Sequence, residues 1–569
     1  MSLPEKLLDK LEKRLQFVYK NNYSEDLKKK LAATISNYSR IQNDKEKWDE
    51  KEVVLITYGD SIKKEGEKPL QTLKKFLDEN LKEQLSVIHI LPFFPYSSDD
   101  GFSIIDFREV NPELGTWEDV KSLTENFGLM ADLVINHVSS KSEWFRHFLK
   151  QEGRGKDYFI TEAPETDLSQ VVRPRSTPLL TAYETAKGTR HVWTTFSADQ
   201  IDLNFSNPDL LIEMTDILLG YISKGSQIIR LDAVAFLWKK PGTTCLHLPE
   251  THEVVKLLRD VAEYINPPVV ILTETNVPNK ENLSYFGDND EAHMIYQFSL
   301  PPLLLHALHT GKSTYFNKWA ESLPGLSDET TFFNFTASHD GIGVRPLEGL
   351  LPENEKTELV ANMQKFGGLV NYKSNPDGSK SPYELNITYF DALKGTRNGE
   401  DEFQVRRFLA SQIVMMSFQG VPAFYFHSLT ATPNYQEGVA RTKHNRTINR
   451  RKWNLEELQR ALNNETPQKK VFESLRKFIS IRKKQEAFHP NATQEILNTG
   501  NKLIGFVRTS KNGNQTIVVL VNITGQKQEY SIPESLRNKC GFDLIQNKKA
   551  GPRTLKPYQC AWLTNKVQR

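Results

Sequence analysis

The chain has 569 residues, 38% hydrophobic and 25% charged, enough to bury a large core, as one large domain with attachments or as three to four compact units; size alone chooses neither. Its 73 Lys+Arg against 71 Asp+Glu leave a formal charge of +2, no field for nucleic acid or an anionic bilayer, so small-molecule partners are expected. Charges break the apolar positions of MSLPEKLLDKLEKRL, which argues against a signal peptide, and no run of about 18 uncharged apolar residues follows, so a cytoplasmic protein without a membrane partner is expected.

In chain order, residues 1–49 place Leu7, Leu8, Leu11, Leu15 and Val18, then Leu27, Leu31, Ile35 and Tyr38, at helical spacing, with Ser24 as a cap. This predicts two amphipathic helices packed on the main body; a coiled-coil arm is the weaker alternative because the heptads do not persist. From residue 50, eight short apolar runs alternate with helical stretches: Val53–Tyr58, Val87–Phe93, Leu129–His137, Ile228–Val234, Val269–Asn276, His293–Leu300, Phe332–Asp340 and Val421–His427. Buried parallel strands read this way, and eight of them predict an α/β fold, a closed (β/α)8 TIM barrel over 50–137, 207–340 and 396–484. The connections 138–206 and 341–395 are too long for plain loops and are read as inserted lobes over the barrel mouth. In the second, Asn375-Pro376-Asp377-Gly378 is a turn signal suited to a mobile lid. Alternation in Leu503–Val507 and Thr516–Val521 predicts a C-terminal antiparallel β-domain over 485–569. Cys245, Cys540 and Cys560 stand far apart and are read as reduced bystanders.

Barrel enzymes place chemistry at the C-terminal ends of their strands, and here four runs end on polar residues: Asn136-His137, Arg230-Leu231-Asp232, Glu274 and His339-Asp340. Cleaving a glycosidic bond with retention needs two carboxyl groups about 5–5.5 Å apart, which adjacent strands can supply. Two-residue alternation turns Arg230 and Asp232 to the same face, so the guanidinium would keep Asp232 ionised; a structural ion pair is the alternative. Apolar residues before Glu274 would raise its pKa, as a general acid requires, although a Glu at a strand end is often only a salt-bridge partner. Asp340 precedes Gly341, whose tight exit would leave His339 and Asp340 facing a ligand. Neither His137 nor His339 has a second ligand at metal spacing, so hydrogen bonding to sugar hydroxyls is favoured and no metal is expected. Asp99-Asp100-Gly101 reads alone as a solvated turn, but Phe93, Phe94, Tyr96 and Phe102 nearby would suit a sugar face, or the core.

Together, Asp132–His137, Arg230–Val234, Glu274 and Ser338–Asp340 resemble the four ordered motifs of the α-amylase superfamily. The resemblance implies Asp232 as nucleophile, Glu274 as acid/base and Asp340 as transition-state stabiliser. More narrowly, Leu91–Pro95, Arg173-Pro174-Arg175, Pro301–His306, His339–Gly343 and Arg446–Arg450 are similar to the sucrose phosphorylase subfamily. That likeness implies Asp99, His137, Phe196, Gln200, Arg230 and Arg446 around a glucosyl ring, Arg175 and Tyr383 for phosphate, and no calcium or other cofactor. Asn276 and Phe236 replace a His and a Tyr usual in sucrose phosphorylases, which puts fructose recognition in doubt. The Ser97–Ser103 stretch, Thr273–Pro278, Tyr383–Asn386 and the N-terminal extension instead resemble glucosylglycerate phosphorylases. Sucrose, sucrose 6-phosphate and glucosylglycerol phosphorylases remain alternatives, with a plain α-glucosidase behind them and, more remotely, a non-catalytic amylase-like partner protein. Lys239 and Arg175 are the cations considered for a carboxylate on the leaving group.

Overall fold

In the computed structural model, which describes residues 3–375, 379–551 and 553–565, eight parallel strands close into a barrel. They are β1 (Val54–Thr57), β2 (Val87–Ile90), β3 (Gly128–Val134), β4 (Ser226–Asp232), β5 (Val270–Thr273), β6 (Met294–Tyr296), β7 (Thr331–Phe335) and β8 (Val421–Tyr425). Each coincides with one of the eight apolar runs. Val54 of β1 pairs with Val87 of β2 on one side and Ala423 of β8 on the other, which closes the ring. The strands are buried on both faces, inside the barrel and beneath the helices, so their sequences read as apolar runs and not as alternation.

Two runs divide where the ladder loses its partner. β3 stops at Val134, opposite Asp232 at the end of β4, and His137–Ser139 re-pairs antiparallel with Gln200–Asp202. β7 stops at Phe335, opposite Ala423, so Asp340 stands on the loop beyond the strand and not at its last position.

The amphipathic helices form as α1 (Glu5–Tyr19) and α2 (Glu25–Ser36), and the Ser24 hydroxyl accepts from the Leu27 N–H at 3.2 Å. α1 lies on α3 (Pro249–Ile265) of the barrel's outer layer, with Leu7, Leu11, Leu15 and Val18 in the main core. Arg14 of α1 meets Glu253 at 2.9 Å and Asp290 at 3.2 Å, so the helices are part of the body and not a free arm.

Between β3 and β4 the chain forms a hairpin, Leu180–Thr185 with Gly188–Trp193. Between β7 and β8 it builds the helix Glu353–Lys365 and a three-stranded sheet of Ile342–Gly343, Lys380–Asn386 and Leu369–Ser374. Pro376, Asp377 and Gly378 of the expected turn lie outside the described residues. The C-terminal part is a six-stranded antiparallel sheet. Its alternation divides the side chains: Ile504, Phe506, Val519 and Val521 join the barrel core, while Leu503, Val518 and Leu520 form a second, smaller core. All three cysteines are buried and free, and among the described residues no helix is long and apolar enough to cross a membrane.

Candidate active site

The mouth of the barrel is organised by the register of β4 and β5. Leu231 pairs with Thr273, and the Glu274 N–H donates to the Leu231 carbonyl at 3.1 Å, so Asp232 and Glu274 leave the two strand ends side by side. Arg230, only 2% exposed, lies beneath them. Its guanidinium donates to Asp132 at 2.5 Å and Asp232 at 2.6 Å, and approaches Glu274 at 3.8 Å. Asp132 is held in turn by His89 at 2.7 Å. Ala233 follows in the left-handed region at φ 50°, a conformation that costs a side-chain-bearing residue about 1–3 kcal/mol. The turn it makes aims its N–H at Glu274 Oε2, 2.9 Å away.

These surroundings separate the two carboxyls. Burial pushes Glu274 up to about 7, reinforced by the charges of Asp232 and Asp340 and opposed by Arg230. Burial raises Asp232 as well, but there Arg230 donates directly. The pair therefore holds its proton on Glu274 and its charge on Asp232. Asp340 is also buried, yet Arg446 at 2.6 Å and Arg450 at 3.6 Å outweigh that burial and keep it below the usual carboxylate range. His339 Nε2 stands 3.5 Å from Asp340, and burial beside three arginines keeps the ring neutral.

Phe102 stacks on His339 at 4.5 Å with the rings 5° from parallel. Asp99, Asp100 and Gly101, at φ 52°, 48° and 116°, swing the chain back so tightly that a Cβ on Gly101 would sit 2.6 Å from the Pro92 carbonyl. Asp99, read alone as solvated, is drawn in by Arg450 at 3.4 Å and Arg446 at 3.9 Å, and their charges outweigh burial to lower its pKa. His137 Nε2–H donates to the Phe102 carbonyl at 2.9 Å, with Gln200 beside it. Phe196 packs on His137 at 5.2 Å and edge-on against Phe236 at 5.5 Å.

Across the mouth, the Arg175 guanidinium lies 5.8 Å from the centre of the Tyr383 ring and makes no hydrogen bond or ion pair among the described residues. Asn276 abuts Gly343 so closely that a Cβ there would meet its Oδ1 at 2.5 Å, and that buried oxygen has no partner among the described residues. Every residue that the family resemblance places at the site lines this one cavity except Arg230, which supports it from behind; of the aromatics near Asp99, Phe102 lines it too, whereas Phe93 and Phe94 belong to the core and Tyr96 is exposed. Lys239 does not reach the lining: its ammonium is buried between Asp202 at 2.7 Å and Asn136 at 2.5 Å, tying the β3–β4 connection to the barrel. Among the described residues there is no cluster of three His, Cys, Asp or Glu that could hold a metal.

Several supporting residues escape sequence reasoning. Glu384, fully buried, forks onto Arg446 at 2.9 and 3.2 Å and accepts the Gly341 N–H at 3.0 Å. Arg450 carries Asp100 at 2.8 Å, and Asp199 accepts from the hydroxyls of Ser97, Ser98 and Ser140, each at 2.5 Å. The only signal for Glu384 and Arg450 was their place inside the quoted motifs; Asp199 had none beyond adjacency to Gln200. Ala233, Ala235 and Thr275 also line the cavity, each beside a residue already singled out.

The family model described as "Alpha amylase, catalytic domain" matches residues 79–341. A glucosylglycerate phosphorylase of Spirochaeta thermophila is 45% identical over 561 residues, 97% of this chain and 95% of that protein. One from Escherichia coli is 44% identical over 568 residues, 99% of this chain and 100% of its own length. Among solved structures, a sucrose 6F-phosphate phosphorylase from Thermoanaerobacter thermosaccharolyticum superposes with a TM-score of 0.72 at 28% identity, over 83% of this chain and 94% of that one. The chain belongs to the α-amylase superfamily and, within it, to the sucrose phosphorylase subfamily.

Proposed function

We propose that this chain is a retaining glycoside phosphorylase that moves the glucosyl unit of glucosylglycerate to inorganic phosphate, giving α-glucose 1-phosphate and glycerate. Near-full-length likeness to glucosylglycerate phosphorylases supports the substrate. The observation that carries the mechanism is the division of labour between two adjacent carboxyls, Asp232 on the Arg230 guanidinium and Glu274 raised to about 7.

Asp232 attacks the anomeric carbon as Glu274 gives its proton to the departing glycerate oxygen, and the C1–O bond breaks with inversion. Glu274, now a carboxylate, takes a proton from phosphate, whose oxygen attacks C1 and displaces Asp232 with a second inversion. Asp340, kept ionised by Arg446 and Arg450, opposes the positive charge that develops on the sugar ring. Neutral His339 and the Phe102 face would pack against the glucosyl unit, and Asp99, His137, Gln200 and Arg446 would bind its hydroxyls. Arg175 and Tyr383 would receive phosphate, with the 341–395 lobe moving to bring Tyr383 towards Arg175 once the leaving group departs. The retained carboxylates oppose a non-catalytic reading.

Release of glucose 1-phosphate from glucosylglycerate, sucrose, sucrose 6-phosphate and glucosylglycerol, each with and without phosphate, tests the reading. Phosphate-dependent release fastest from glucosylglycerate is expected; a higher rate with sucrose removes the substrate assignment, and free glucose without phosphate dependence makes the enzyme a hydrolase.

A further inference from the structure

We infer that one anion subsite, centred on the Arg175 guanidinium, serves both halves of the reaction, holding the carboxylate of the leaving group first and the incoming phosphate second. The inference rests on the phosphorolysis of glucosylglycerate proposed above, in which an anion departs and another anion arrives at the same carbon.

The argument is one of charge. The cavity is lined by four carboxyl groups, Asp99, Asp232, Glu274 and Asp340, and by the guanidiniums of Arg175 and Arg446. An anionic ligand entering it needs a cation whose charge is not already spent. Arg446 is committed to Asp340 at 2.6 Å and to the fork of Glu384. Arg230 holds Asp132 and Asp232, and Arg450 holds Asp99 and Asp100. Lys239 is buried against Asp202. Arg345, close behind the mouth, lies outside the lining and between Glu281 and Glu348, each 3.9 Å away. Arg175 alone lines the cavity with neither an ion-pair contact nor a hydrogen bond among the described residues; Asp99 and Asp340 feel its charge only from a distance.

Its position suits both anions. The general acid must face the leaving oxygen, so the leaving group lies on the Glu274 side of the glucosyl ring. Asn276 follows Glu274 by two residues and abuts Gly343, while the Val344 N–H donates to the Tyr383 carbonyl, so Asn276 and Tyr383 stand together on that side. Arg175 packs on Tyr383, which also feels the charge of Glu274. A guanidinium offers paired N–H donors that match a carboxylate and a phosphate equally well. The unpartnered Asn276 Oδ1 is an acceptor for a glycerate hydroxyl or for a protonated phosphate oxygen. With one such cation, the two anions exclude each other, and glycerate must leave before phosphate can bind.

The test is a comparison of wild type with Arg175→Gln, using glucosylglycerate and α-glucosyl fluoride, a donor whose leaving group has no carboxylate. In wild type, raising phosphate should increase the apparent KM for glucosylglycerate linearly without doing so for the fluoride. Arg175→Gln should lower kcat/KM for glucosylglycerate and for phosphate by similar factors, roughly 10- to 100-fold for a lost charge-assisted contact. The kcat/KM for the fluoride, read as fluoride release and set by the first displacement alone, should fall at least about tenfold less than that, and Arg175→Lys should recover part of both anion constants. If phosphate alone weakens, the carboxylate is held elsewhere and the shared subsite is wrong. Equal loss with the fluoride would make Arg175 a structural residue and overturn it as well. Wild type that releases no glucose 1-phosphate from glucosylglycerate would instead remove the underlying function, and that result is read before any variant is compared.

Discussion

Arg230 is almost fully buried and forms no part of the cavity wall, yet it sets the protonation of the site by choosing which of two buried carboxyls it contacts directly. With Glu274 at about 7, the first displacement should need its protonated form, so kcat/KM for the donor should fall as pH rises through about 7. Glu274→Gln should flatten that alkaline limb and slow phosphorolysis by about 10²–10⁴-fold, measurable from initial rates across pH. The sign of the stability effect follows from linkage. The folded pKa of Glu274 lies above the ordinary carboxyl value, so the folded state binds the extra proton. The stability this contributes is present below pH about 4.5 and is lost as pH rises through about 7. Glu274→Gln should therefore melt higher than wild type at pH 8, with the difference shrinking in acid. Asp232→Asn should abolish turnover in both directions; residual phosphorolysis from a clean preparation would remove Asp232 as the nucleophile. Gly343→Ala is a smaller change with a specific target, since its Cβ would sit 2.5 Å from Asn276 Oδ1. It should raise the KM for donor and phosphate more than it lowers α-glucosyl fluoride turnover.

At the scale of the elements, the site depends on loops pinned by polar knots more than on the strands that launch them. The Asp199 carboxylate gathers hydroxyls from Ser97, Ser98 and Ser103 on one loop and Ser140 on another, and burial is outweighed by these bonds to hold its pKa down. Asp99 and Phe102 ride on the first of those loops, and Gln200 follows Asp199 directly. Asp199→Ala should raise the donor KM roughly tenfold or more, for several lost charged hydrogen bonds, with less effect on kcat; equal falls in both would point to misfolding. At the N-terminus, Ser24→Ala removes the cap of α2 and should cost about 1 kcal/mol of stability while activity is retained. The apolar spacing that revealed α1 and α2 was readable because one face of each helix packs on the barrel and the other meets solvent.

For the whole molecule, the barrel and the C-terminal sheet share one core, with Phe506, Val519 and Trp562 packed into it. Arg508, fully buried, fastens the joint by donating to the carbonyls of Ser417 at 2.8 Å and His489 at 2.7 Å. Burial lowers its pKa to about 9, a cost that these carbonyls and those of Thr493 and Ala492, each at 3.3 Å, offset. Arg508→Met should lower the thermal midpoint, leaving buried carbonyls unpaired at about 1–3 kcal/mol each, while kcat and KM at moderate temperature stay near wild type. The sequence by itself determined the barrel, because strands dry on both faces must be apolar throughout. It also marked Asp232 and Glu274, because two-residue alternation and the ends of adjacent strands are local properties. It did not determine the pairing of Arg446 with Glu384, Arg450 with Asp100 or Lys239 with Asp202, nor that Asp340 lies beyond its strand. Those pairings join loops distant in the chain, and only the closed barrel with its inserted segments brings their charges within reach.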